Sequence, residues 1–136
     1  MLRSYTRIVG LLLIVSLIGC GGGSSAPAPS RFAGTWSGPW TDNQGQSGTL
    51  TVTVGTTGTV TGSIINKTLG ANGVANGVIG DAGNLNATFA YPVGVSGTAT
   101  VDGTVSVGTN GQLNGVLQEA VNNVPYGAVT LDLTRQ

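Results

Sequence analysis

The chain has 136 residues, with five Lys and Arg against five Asp and Glu, no histidine and one cysteine. Charged residues make up 7% of it, against about 25% in an average globular protein. That balance excludes nucleic-acid binding, which needs clustered Lys and Arg to neutralise phosphates, and a single cysteine excludes an internal disulfide.

The first element in chain order is a leader. Arg3 and Arg7 give it a positive start, Ile8 to Ile18 an apolar core, and Leu17-Ile18-Gly19-Cys20 its end. The apolar run is shorter than the ~20 residues of a comfortable membrane span. A charged start, a short apolar core and small residues before the cut mark a secretory signal. With the thiol at Cys20 and Gly21-Gly22-Gly23-Ser24-Ser25 after it, the segment resembles the signal peptide and lipobox of bacterial lipoproteins. The resemblance implies that residues 1–19 are removed and that Cys20 becomes the N-terminus, carrying a thioether-linked diacylglyceryl group. Two acyl chains hold a protein firmly on a membrane where one holds it only marginally. The implied address is the bacterial cell envelope, lipid-anchored. Gly21, in place of the aspartate that favours the inner membrane, points to the outer membrane. The plainer reading of Cys20 is an incidental cysteine in an uncleaved anchor. A catalytic or metal-binding role lacks any histidine to pair with it.

Residues 21–30 contain only Gly, Ser, Ala and Pro. Gly and Ser keep such a segment flexible, and Pro27 and Pro29 stiffen its far end, so it reads as a tether. Residues 31–136 are enough for one small domain. In it Arg31, Lys67 and Arg135 face Asp42, Asp81, Asp102, Glu119 and Asp132, a net of −2. Thr, Asn, Ser and Gln must therefore solvate the surface.

Eight strand signals follow. The first lies near 32–41, where Phe32, Gly34, Trp36, Gly38 and Trp40 share one parity. The second, near 47–55, alternates Leu50, Val52 and Val54 with Thr49, Thr51 and Thr53, the period-2 pattern of a half-buried strand. A Gly-Thr-Thr-Gly turn leads to a third near 59–67, and a fourth lies near 73–80. The others lie near 85–92, 97–107, 111–119 and 127–135. No segment of the domain has a helical period of useful length.

The domain also repeats itself. Residues 52–64 align with 105–117 at an offset of 53, and glycines coincide at 55/108, 58/111 and 62/115. The same offset pairs Thr35-Trp36 with Thr88-Phe89 and Pro39 with Pro92. A Gly/Thr/Val-rich chain matches itself often, yet three coincident glycines and outlying pairs favour duplication into halves 31–83 and 84–136. Two four-strand meanders close most simply into an eight-stranded antiparallel up-and-down barrel. A β-sandwich, or a solenoid on the Asn/Gly-rich middle, is the alternative. Gly34-Thr35-Trp36 resembles the Gly-x-Trp that opens the first strand of lipocalins and avidins, and Thr59-Val60-Thr61-Gly62 resembles the second hairpin of avidin-type barrels. The lipocalin resemblance implies that Arg135, near the end of the last strand, packs against Trp36. The biotin cage of avidins needs several tryptophans, and this chain has only Trp36 and Trp40.

A meander sorts its connections by end. The lower end receives the tether and the turns near 55–58, 81–84 and 108–111. The upper end receives those near 42–46, 68–72, 93–96 and 120–126, some of them longer. Loops on a rigid scaffold commonly carry function. Parity turns Trp40, Asn66, Tyr91 and Glu119 inward near the upper rim, with Trp40 partly exposed there. Asp42, Asn43, Gln44, Asn122, Asn123 and Tyr126 lie in or beside its loops. Asn66 is a candidate donor to Glu119, and Asp42 could approach the same carboxylate. Such a rim suits a small amphiphile, a glycan or a partner protein. The plainer alternative is a rim closed by its own aromatics, because a small barrel can fill its interior with side chains.

Catalysis has little support: no Ser/His/Asp set, metal cluster, cofactor motif or phosphate cradle is present. The expectation is a membrane-anchored envelope lipoprotein, without cofactor or metal, presenting a non-catalytic barrel for interaction. A carrier of an apolar ligand and a hydrolase inhibitor are the other readings.

Overall fold

The computed structural model describes residues 26–91 and 97–136. The leader, Cys20 and the start of the tether lie outside the described residues, as does the connection 92–96. The strands are β1 (Gly34–Asp42), β2 (Ser47–Val54), β3 (Thr59–Asn66), β4 (Ala71–Ile79), β5 (Asn84–Ala90), β6 (Thr98–Val107), β7 (Gln112–Val121) and β8 (Val124–Arg135). Each pairs antiparallel with the next, and β8 returns to pair with β1. The result is a closed up-and-down barrel. Closure rules out the sandwich and the solenoid and leaves no unpaired edge. An architecture of this kind is consistent with the small barrels of avidins and lipocalins.

Alternation produces the two faces. Leu50, Val52 and Val54 of β2, Val101 and Val105 of β6, Leu113 and Leu117 of β7, and Val129, Leu131 and Leu133 of β8 are buried in one core. The intervening residues coat the outside, largely with Thr, Ser and Asn. Across β1 and β2 the hydroxyls of Thr35 and Thr53 lie 3.2 Å apart, and those of Ser37 and Thr51 2.8 Å. An apolar interior with a hydroxyl-rich exterior is the reverse of a membrane-spanning barrel, whose apolar band faces lipid.

All three lower hairpins use one turn. Gly55, Gly80 and Gly108 each donate across the hairpin to Thr59, Asn84 and Gln112, at 2.8–2.9 Å. The fourth residue of each turn, Gly58, Gly83 or Gly111, donates back to the first and has positive φ. A type I turn followed by a left-handed residue is a common three-residue hairpin connection. Of the glycines matched at the 53-residue offset, Gly58 and Gly111 therefore recur for a conformational reason. The same turn at 80–83 carries the recurrence down to single hairpins.

The lower end is sealed. Ser30 donates to the Thr56 carbonyl at 2.8 Å, and Ala33 donates back to Ser30 at 2.9 Å. This turn lays Phe32 across the base, fully buried. The Trp36 indole donates to the Phe32 carbonyl at 2.8 Å. Arg135 lies over the Trp36 ring, 4.5 Å from its centroid, and donates to the Ala33 carbonyl at 2.9 Å. Strand order brings them together: Trp36 and Arg135 are register partners in the closing β1–β8 pair. An exposed guanidinium on an aromatic face contributes about 0.5–1 kcal/mol. Combining Arg135→Ala with Trp36→Phe in a double-mutant cycle should give a coupling of that order, whereas strictly additive losses would refute it.

Two sequence expectations need correction. The connection near 120–126 is a tight turn, with Asn122 and Asn123 at φ 50° and 65°. Two consecutive left-handed residues suit the twist of a two-residue hairpin, and Asn tolerates that region. Strand β8 therefore starts at Val124, three residues earlier than the pattern suggests. A register shift next to Glu119/Ala120 leaves Tyr126 as the extra residue opposite, which is how Pro125 is accommodated in the strand.

Candidate functional site

At the upper end, Trp40 (β1), Gln46, Asn66 (β3), Tyr91, Ala99 (β6), Glu119 and Val121 (β7) and Tyr126 (β8) line a chamber of about 70 Å³. Residues of matched inward parity thus converge from around the ring. Trp40 does not stand in the mouth, as parity suggests, but forms its floor, only 4% exposed. The reason is Gly48, its register partner on β2, which leaves space over which the indole lies. The indole then donates to the Ile65 carbonyl at 3.2 Å. Tyr91 is half-buried, and Tyr126 is exposed at the bulge.

A polar network frames the opening. Asn66, fully buried, donates to Gln46 Oε1 at 2.6 Å and accepts from the Leu69 amide at 2.9 Å. Gln46 Nε2 lies 2.9 Å from the Tyr126 hydroxyl, and Gln44 donates to the Tyr126 carbonyl at 3.0 Å. Asp42 Oδ1 accepts from the Gln44 and Gln46 amides at 2.9 and 2.6 Å, which shapes the β1–β2 loop. Asn43 fastens that loop to β8 by accepting from the Ala128 amide at 3.1 Å. Sequence reasoning misses Gln46, Ala99 and Val121 in the lining, and of these Gln46 is the polar one. Its signal is parity, because it shares the inward register of Gly48 and Leu50 although it lies in a loop.

Asn66 is not the donor to Glu119 that its position suggests, since its side chain is engaged with Gln46 and Leu69. Glu119 Oε2 is buried without a hydrogen-bond partner. Asp42 influences Glu119 through charge, and both its amide contacts lie within its own loop. Burial first, and the Asp42 charge second, push the Glu119 carboxyl above its usual 4.5. Burial also raises the Tyr91 hydroxyl; the Asn66 side chain works against this, while Glu119 and Asp42 add to it.

These shifts give a pH dependence. Between the unfolded value and the raised folded value of Glu119, the native state holds a proton that the unfolded chain has released. Raising the pH through that window destabilises the fold, and above it the full penalty persists. Glu119→Gln should therefore raise the thermal midpoint at about pH 8, with the gain gone by about pH 3. An equal gain at both pH values would contradict burial of a charged carboxylate as the cause.

Below the chamber the barrel is filled. A void of about 30 Å³ lies among Leu50, Val52, Ile79, Phe89, Leu131 and their neighbours. A pocket for a drug-sized ligand is about 300–1,000 Å³. Among the described residues, no three of His, Cys, Asp and Glu gather to hold a metal ion. Asn122 and Asn123 form the β7–β8 turn and lie outside the chamber lining. Comparison with protein-family models, with curated proteins and with solved structures found no match.

Proposed function

We propose that this protein is an exported lipoprotein, held by lipid on Cys20 at the outer membrane of the bacterial envelope, whose barrel binds a partner at its upper rim without catalysis. The observation that carries this reading is the asymmetry of the two ends. The tether reaches the barrel along the lower turns, where Ala26 to Pro29 lie beside Thr56, Thr57 and Asp81. That end is closed by Phe32 and Trp36. The opposite end holds the chamber, two tyrosines and an unsatisfied carboxylate. A tethered barrel of this design turns its open end away from the lipid. The small apolar void favours rim binding over carriage of an apolar ligand inside the barrel.

The test is unbiased capture of whatever the protein binds in its native envelope, followed by affinity measurements on two variants. Trp40→Ala should weaken the interaction, and Thr109→Ala, in a lower turn, should leave it unchanged. Loss with Thr109→Ala and none with Trp40→Ala would reverse the orientation.

A further inference from the structure

Deepening the rim reading, on which it rests, we propose that the upper chamber receives a protonated primary amine, an alkylammonium head that enters between Tyr91 and Tyr126 and pairs with Glu119. The side-chain amides and the indole around the carboxylate each have another partner. The Asn66 amide goes to Gln46, the Gln46 amide meets the Tyr126 hydroxyl, and the Trp40 indole goes to Ile65. The backbone amides of Gln44 and Gln46 go to Asp42, and that of Leu69 to Asn66. None of these groups, nor the Tyr91 and Tyr126 hydroxyls, bonds to Glu119 Oε2. A buried acceptor without a donor costs free energy, and more when it is charged. Among the described residues, no Lys or Arg lines the chamber. A positively charged donor to pair with it therefore comes from outside the barrel.

Size and surface narrow its chemistry. The chamber of about 70 Å³ is too small for a sugar ring or an acyl chain. A chamber of that size holds a few water-sized groups, and so accepts an ammonium and its first methylene. Trp40, Tyr91 and Tyr126 supply aromatic walls, whose π-faces attract cations and whose edges suit methylenes. An ammonium brings three donors, enough for the carboxylate and a tyrosine hydroxyl. A hard divalent cation fits poorly, because it wants six or more oxygens and, among the described residues, no three of His, Cys, Asp and Glu gather to hold a metal ion. Asp42, whose charge reaches Glu119, adds to the attraction.

The amine has two candidate sources, a small free alkylamine and a lysine side chain of a partner protein. The test uses the full chain in detergent micelles, with the indole N–H signal of Trp40 as reporter. It is titrated with n-butylammonium, with N-acetyl-lysine methylamide and with n-butanol as the uncharged counterpart. Butylammonium should shift the Trp40 signal saturably, butanol should not, and Glu119→Gln should weaken the response roughly 10-fold or more. Tighter binding of the lysine derivative assigns the source to a partner protein, and tighter binding of butylammonium to a small amine. Butanol binding as well as butylammonium would overturn the cationic assignment and keep the rim as the site. Butylammonium binding that leaves Trp40 unmoved and survives Glu119→Gln would overturn both.

Discussion

Replacing Trp36 with alanine should cost about 3–5 kcal/mol, the usual penalty for deleting a fully buried aromatic. The residue has no exposed surface, and its indole nitrogen satisfies the Phe32 carbonyl at 2.8 Å. Alanine removes the ring from the closing β1–β8 pair and takes away the support of Arg135. It also orphans an acceptor at the base. For a domain near 100 residues the melting temperature should fall by on the order of 10–20 °C. Because small domains have about 5–15 kcal/mol in total, the variant should approach the threshold of folding. Trp36→Phe keeps most of the packing and loses the indole donor, so its fall should be smaller. Thermal unfolding followed by circular dichroism reads both. Equal, small effects would mean that the base of the barrel carries little of the stability.

Gly62→Ala should also be severe for so small a change. A methyl on Gly62 would sit inside contact distance of the Thr51 carbonyl oxygen and 2.7 Å from Val52 Cα. Both are backbone of the paired strand and cannot swing aside. Overpacking of this kind costs about 1–3 kcal/mol, occasionally more. Gly115→Ala is the internal comparison. Its methyl would meet Thr104 and Val105, the residues that the 53-residue offset pairs with Thr51 and Val52. The control is Gly80→Ala, where the nearest atom is the Asn84 carbonyl oxygen at 3.9 Å. That change should be close to neutral, or stabilising by about 0.4–1 kcal/mol through the unfolded chain. The close approach is what lets strands coil tightly enough to close the ring. If Gly62→Ala and Gly80→Ala behave alike in chemical denaturation, that explanation fails.

The sequence is most legible where one face of a strand is apolar. Alternation through Leu50, Val52 and Val54, and again through Val129, Leu131 and Leu133, leaves little freedom, because a one-residue slip turns every side chain over. Counting turns then places Trp40, Asn66, Tyr91 and Glu119 at one end, where they line one chamber. Legibility ends where geometry is set by long-range contact. Pro125 disguises the start of β8, and the bulge that accommodates it carries Tyr126 to the mouth. Parity puts Asn66 at the correct end but does not name its partner, since its choice of Gln46 depends on the folding of the 42–46 loop around Asp42. The burial of Trp40 depends on Gly48 across the strand pair, a contact no local pattern records.

The proposed role has a lipid tether turn the rim outward, so lipid on Cys20 is its most direct test. The wild-type chain and Cys20→Ala would be expressed with radioactive palmitate in a bacterium that processes lipoproteins, and membranes separated from soluble protein. An anchored barrel predicts labelled wild type in the membrane fraction, and an unlabelled Cys20→Ala protein that leaves it. Label retained in the Cys20→Ala protein, or wild type that is soluble and unlabelled, would contradict it.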